Sequence, residues 1–476
     1  MRSCLQTAAL LLFLIVTSTS SPARAQTLRA EGRPLAFVGV NVVPMNGGGV
    51  LENQTVVVRR GRITKLGPAR AVRPPAGALR VDGRGKYLMP GLVDFHVHLR
   101  DPSELLSYLS YGVTTVVQMS GPTGNVPDVL ALRRQIAAGE VLGPNLYTTG
   151  RMLDGDPPIF RNVSTVVVTP AEARRAVAEQ HRAGVDFVKV YNNLEPDVHG
   201  AAVEEAHRRG LAVVGHIPRR VGRPRALQAA LAARQDMIAH AEEFFFTYFF
   251  GDTESLLKQG VPPRPDRARI PEVVRMVRES GAAVTANLSF TAMLLRQLDD
   301  LGGVFADAEF AYLSPGVAEM WREQNPTRRR DREQFSLRER AKYPFVQELV
   351  RALEAGGVPL LLGTDSSAAG MFPGQSAHLE LRELVKAGLS PRAALAAGTL
   401  NPGRFIRRHV RGAGLFGVVE VGARADLLLL EADPLKDVDN ASRILGVAVR
   451  GRWLPKEELD RQRPRHARAD RVDSSE

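Results

Sequence analysis

Residues 90 to 98 read Pro-Gly-Leu-Val-Asp-Phe-His-Val-His, and this stretch decides the fold. His96 and His98 flank one valine at the end of an apolar run from Leu88 to Val97. Residues two apart on a strand point to the same side, so the two imidazoles leave the strand end in parallel. Neutral imidazole is a common metal ligand, and two of them fixed on one strand make half of a divalent-metal site. Alone, such a pair is more often a chance arrangement on a surface strand. Four further ligand-type residues shift that balance.

Lys189 lies in Asp186-Phe-Val-Lys-Val-Tyr191, His216 ends Leu211-Ala-Val-Val-Gly-His216, His240 ends Met237-Ile-Ala-His240, and Asp365 ends Leu360-Leu-Leu-Gly-Thr-Asp365. Each sits in or just after a short apolar run, with helical stretches between the runs. Apolar strands that end in ligand-type side chains and alternate with helices describe a parallel (β/α)8 TIM-like barrel, an α/β fold whose chemistry gathers at the carboxyl ends of its strands.

Eight candidate strands fill the interval from Lys86 to Val410. The first ends at His98. The others are Val113 to Met119, Asn145 to Thr149, Asp186 to Tyr191, Leu211 to His216, Asp236 to His240, Ala282 to Leu288 and Val358 to Asp365. Pro170 suits the first turn of a helix to Ala183, where no N–H is needed. Phe290 to Lys342 is too long for a plain connection and predicts extra helices over the pocket.

Outside the barrel, Ala36 to Val43, Thr55 to Arg60, Arg62 to Leu66 and Leu79 to Val81 read as short strands. Gly417 to Val421, Asp426 to Glu431 and Ile444 to Arg450 read likewise. Neither group alone buries much surface, so the two chain ends are expected to share one small β-sandwich. This gives a division into 26–85 and 411–455 for the sandwich and 86–410 for the barrel. A polar, charged tail from Lys456 to Glu476 is expected to be flexible.

The first 25 residues form a targeting segment. Arg2 precedes a short apolar core, Ala8 to Val16, and Ala23-Arg24-Ala25 offers a cleavage site before Gln26. The core is too short for a permanent membrane span. Export to the periplasm or medium is therefore the expected localisation, with no stable membrane span. Cys4, the one cysteine of the chain, falls in this segment. A mature chain without it has no disulfide, no thiol nucleophile and no thiolate ligand.

The length of 476 residues allows one large barrel and a smaller domain. With 44% hydrophobic and 24% charged residues the composition is that of a globular protein, not a disordered one. The formal net charge is +12. Its basic residues are scattered with few aromatics between them, which fits a solvated surface and not a nucleic-acid groove.

At these residues the chain resembles the amidohydrolase superfamily, close to the imidazolonepropionase-like branch that includes secreted Xaa-Pro dipeptidases and related amidases. The resemblance rests on Pro90-Gly91, the two histidines, Gly112-Val-Thr-Thr115, Gly363-Thr-Asp365, Ser390-Pro391 to Asn401-Pro402 and Gly422-Ala-Arg-Ala-Asp-Leu427. It implies that His96, His98 and Asp365 hold one divalent metal and His216 and His240 a second, with zinc the expected ion. Lys189 would bridge them as a carbamate formed from carbon dioxide. The other reading of Lys189 is an ordinary salt-bridged lysine, and of Asp365 a helix cap.

The implied reaction is hydrolysis of an amide or peptide bond in a dipeptide or N-acyl amino acid by a metal-activated hydroxide. Asp365 would shuttle the proton. Tyr191 either polarises the carbonyl or packs, and His378 either touches substrate or caps a helix. Arg151 and Arg219-Arg220 are places for a substrate carboxylate or for solvated arginine. Phe244 to Phe250 is either an apolar substrate pocket or helix packing. A cyclic amide, lactone or phosphotriester is the alternative substrate on the same site. A periplasmic binding protein that kept the barrel without catalysis is the alternative of another class. The resemblance also allows a homo-oligomer.

Overall fold

The computed structural model describes residues 33–120, 128–220, 222 and 225–466. The targeting segment, with Cys4, and the end of the tail lie outside the described residues.

Eight parallel strands close a barrel. In order they are Leu92–Val97, Val113–Gln118, Asn145–Thr148, Phe187–Val190, Ala212–Gly215, Met237–Ile238, Ala283–Thr285 and Leu360–Leu361. Neighbours pair in parallel from the first to the third, with two register shifts between the first and second, and from the fourth to the eighth. The Asp186 N–H donates to the Thr148 carbonyl at 2.9 Å and joins the third to the fourth. The Phe95 N–H donates to the Leu362 carbonyl at 2.8 Å and closes the eighth on the first. Val117, Phe187, Val214, Met237 and Leu361 fill the interior, where the Phe95 and Phe187 rings lie 5.7 Å apart.

The strands are those the sequence predicts, each trimmed at its ends, and the last two are shortened most. The seventh ends at Thr285, because Asn287 turns left-handed at φ 52° and Leu288 opens a helix to Asp299. The regular pairing of the eighth covers two residues, and the chain then continues without regular structure to Asp365.

Strands from both chain ends share one eight-stranded sheet, the ancillary β-sandwich. Leu427–Leu430 is its link, pairing antiparallel with Tyr87–Pro90 on one side and Ile444–Val449 on the other. Phe37, Val42, Val56, Leu427 and Leu429 form its core.

The expectation of a flexible tail from Lys456 is corrected for its described part, 456–466. Lys456–Gln462 is a helix. Its Leu459 is fully buried, and the Arg463 guanidinium after it pairs with Glu309. A polar composition misleads here because one leucine at the right turn and one buried ion pair suffice to dock a short helix. The insertion before strand eight is helical, as expected. Its Trp321 indole N–H donates to the Ser367 carbonyl at 3.1 Å, two residues past Asp365.

Candidate metal centre

The side chains named by sequence meet at the carboxyl ends of the barrel strands. His98 Nε2 lies 2.9 Å from Asp365 Oδ1, and His96 Nε2 lies 3.4 Å from the same oxygen. One ligand atom from each of these three residues falls within 4.8 Å of the others. The His96 and His240 ring centres are 4.5 Å apart, those of His240 and His216 are 4.9 Å apart, and Tyr191 stacks on His216 at 4.1 Å. Lys189 is buried, with its Nζ 5.5 Å from the centre of the Tyr191 ring.

Backbone conformation aims several of these groups. Asp365 and His240 adopt φ values of 63° and 64°, in the left-handed region that non-glycine residues occupy at a cost. Gly215 precedes His216 at φ 125°, and a Cβ there would lie 2.3 Å from the Val190 carbonyl oxygen and 3.0 Å from Lys189 Cγ. Glycine is therefore required for strands four and five to close around the lysine.

The electrostatics favour metal ligation. Burial lowers the pKa of His96 and His98, and takes that of His240 to about 4, so all three are neutral imidazoles with a lone pair to offer. Burial pushes the Lys189 amine down to about 8, against the opposing pull of Asp365. Burial opposes the Asp365 charge, yet the His98 bond and the surrounding imidazoles outweigh it and hold this carboxyl well below its usual range. Both ring nitrogens of His96, and Nδ1 of His240, are buried without a hydrogen-bond partner among the described residues. Buried polar atoms are ordinarily paired, so the orphaned nitrogens of His96 fit a ligand to a cation beside His98 and Asp365.

Several supporting residues carry no signal in ligand spacing. Asp94 is fully buried: Oδ1 accepts from the His96 and Thr364 N–H groups at 3.2 and 3.1 Å, and Oδ2 accepts from the Thr364 hydroxyl at 2.6 Å. It ties strand one to strand eight just behind the ligands. The available clue is an acid in a run of buried apolar residues, which needs partners. Ser120 Oγ lies 3.0 Å from His98 Nδ1. His216 Nδ1 lies 2.9 Å from Asn192 Oδ1 and 3.2 Å from Glu243 Oε1, and Glu243 also pairs with Arg219.

Other candidates are placed as follows. His378 is buried, with Nε2 2.9 Å from the Tyr111 carbonyl. Arg151 donates to the carbonyls of Asn162 and Ser164 at 3.0 and 2.6 Å, and Arg220 donates to that of Asp156 at 2.7 Å. The Phe244–Phe250 segment packs into the main core, where Phe249 lies 4.8 Å from Phe345. Its half-buried Phe246 instead faces Arg219, 4.9 Å away, and a cavity of about 450 Å³.

The profile described as the amidohydrolase family matches residues 87–454. Among solved structures, a bottromycin amidohydrolase is 25% identical, covers 93% of this chain and 92% of its own, and superposes with a TM-score of 0.70. A candidate prolidase from Bifidobacterium longum is 26% identical, covers 90% of this chain and 98% of its own, and superposes with a TM-score of 0.66. Curated relatives match over short stretches. Dihydroorotase of Trichlorobacter lovleyi is 46% identical over 54 residues, which is 11% of this chain and 12% of that protein. The match to adenine deaminase of Staphylothermus marinus, 27% identical, spans 39% of this chain and 32% of that protein.

Proposed function

The chain belongs to the amidohydrolase family, and from that premise we propose that it is an exported binuclear metallohydrolase that cleaves an amide or peptide bond in a small molecule. The single observation that carries the reading is the His96–His98–Asp365 cluster, with the orphaned nitrogens of His96 beside it.

In this reading His96, His98 and Asp365 hold one metal, zinc by preference for nitrogen and carboxylate ligands. His216 and His240 hold the second. Lys189, buried and facing both halves, bridges them as a carbamate. Such metals supply a Lewis acid for the carbonyl and an acidified water. Asp365 takes the proton of the attacking water and delivers it to the leaving amine. The Tyr191 hydroxyl, whose pKa burial pushes well above its usual value, stays protonated and donates to the carbonyl oxygen. The arginines and the helical insertion make no nucleic-acid surface in this reading, and the apolar segment before Gln26 directs export. A cyclic amide is the second reading, supported by the 54-residue match to dihydroorotase.

The test is metal content measured together with hydrolysis of N-acyl amino acids, Xaa-Pro dipeptides, a cyclic amide, a lactone and a phosphotriester. Two metals per chain and chelator-sensitive cleavage of a linear amide are expected. Two metals with cleavage confined to the cyclic amide favour the second reading. Cleavage confined to the lactone or phosphotriester overturns amide hydrolysis. No metal after supplying zinc and bicarbonate overturns the centre, beginning with the Lys189 bridge.

A further inference from the structure

Ile159 and Phe160 are large apolar side chains left 50% and 52% exposed. They lie on the loop that follows the short strand Met152–Asp154. The loop is not slack. Asp154 is fully buried, and its Oδ1 accepts from the N–H groups of Gly155 and Asn193 at 3.0 and 2.8 Å. Its Oδ2 accepts from the Ile159 N–H at 2.9 Å. The Asn193 amide donates to the Pro157 carbonyl at 2.7 Å, and Arg220 donates to the Asp156 carbonyl at 2.7 Å. Asn193 and Arg220 follow barrel strands four and five, so the loop is fastened to the same strand ends that carry Lys189 and His216.

This fastening sets Phe160 against Tyr191, one ring removed from the candidate ligand His216. Its ring meets Tyr191 edge-on at 5.8 Å, and Tyr191 stacks on His216 at 4.1 Å. An aromatic path therefore runs from solvent to a ligand. Water disfavours apolar surface held in the open, yet five hydrogen bonds, one set on a buried carboxylate, hold it there. A molecule seated at the strand ends beside Tyr191 would cover these side chains.

We propose that Ile159 and Phe160 form the specificity wall of the site and receive an apolar or aromatic side group of the amide substrate. The inference rests on the amide-hydrolase reading and deepens it. Neighbouring Val166 and Val168 are also exposed, at 40% and 50%, so a second protein is the competing occupant of the patch.

The test uses the metal-loaded protein with its insertion intact. Binding of N-acetylphenylalanine and N-acetylalanine is titrated calorimetrically in wild type, Phe160→Ala and Phe160→Leu, alongside sedimentation. Wild type is expected to prefer the phenylalanine ligand by about tenfold or more, the scale of apolar pocket discrimination. Phe160→Ala is expected to reduce that ratio below about twofold, and Phe160→Leu to restore part of it. No preference in wild type, no binding of either ligand, or a preference that survives Phe160→Ala overturns the wall. So does an unaltered ratio accompanied by loss of a dimer, which assigns the patch to a subunit contact. A binding preference without cleavage of any amide overturns the hydrolase reading and leaves the wall standing.

Discussion

The two halves of the proposed centre are built differently. His96, His98 and Asp365 stand assembled, with Asp365 within 3.4 Å of both imidazoles. Around them stand carboxyls bonded to neutral donors. Asp94 bonds Thr364, and Glu380 accepts from the N–H groups of Leu288 and Ser289 at 3.1 and 2.7 Å. Burial pushes both carboxyls up, each to about 7. In the other half, Lys189, His216 and His240 are neighbours, but His216 is engaged by Asn192 and Glu243. Burial opposes the Glu243 charge, yet Arg219 and His216 outweigh it and hold the carboxyl far below its usual range. One half is held by hydrogen bonds across a barrel seam, and the other by an ion pair.

The largest effect is expected at the point where the assembled half also does chemistry. Asp365→Asn keeps the shape but loses the charge and the proton acceptor. Turnover is expected to fall on the order of a hundredfold or more, with metal lost first from the His96–His98 side. Steady-state kinetics with metal analysis on the same sample check this. Unchanged turnover removes Asp365 from its proposed role, and equal loss of both metals erases the distinction between the halves.

The same contrast explains what was legible in the sequence. The ligand residues lie at the ends of apolar runs, where a strand's end and its neighbours' ends are brought together by the barrel itself, so His96, His98, His216, His240 and Asp365 could be read in order. Their supports could not. Asp94 reaches Thr364, 270 positions away, and Glu380 caps a helix that begins 92 positions earlier. Such partners are set by the closed barrel and leave no local spacing. Phe244 to Phe250 shows the limit from the other side: its composition suits a pocket or a core equally, and only the position of Phe345 settles that most of it is core. At the start of the tail, one buried leucine outweighs a charged composition.

A smaller effect is expected from cutting the ion pair that serves the other half. Glu243→Ala leaves Arg219 without its buried partner. Arg219 keeps 27% of its side chain exposed, so the loss of stability is set at about 2–3 kcal/mol, near the lower end for a broken buried pair. His216 also loses one orienting contact, which is expected to weaken the second metal about 10- to 100-fold. Denaturant unfolding and metal titration separate the two effects. Retention of one tightly held metal sharpens the contrast, whereas weakening of both breaks it.

The smallest effect on the proposed metal centre lies in the pH dependence of its surroundings. Glu380 is fully buried and titrates near 7 in the fold, against an ordinary value of 4.5. Between those values the folded chain holds a proton that the unfolded chain releases, so its contribution is complete below about 4.5 and is lost as pH rises to about 7. The loss is up to about 3 kcal/mol over that window, at 1.36 kcal/mol per unit. Glu380→Gln cannot ionise and retains one acceptor for two N–H donors. It is therefore expected to carry a constant penalty of about 1 kcal/mol but a flatter stability profile from pH 5 to 7. The variant gains on wild type as pH rises. Glu243, held low by Arg219, titrates below this window and adds no slope there. Urea unfolding of both proteins at pH 5, 6 and 7 checks the sign. A wild-type profile as flat as that of Glu380→Gln would mean that the carboxyl is already ionised in the fold, and the two halves would then share one kind of support.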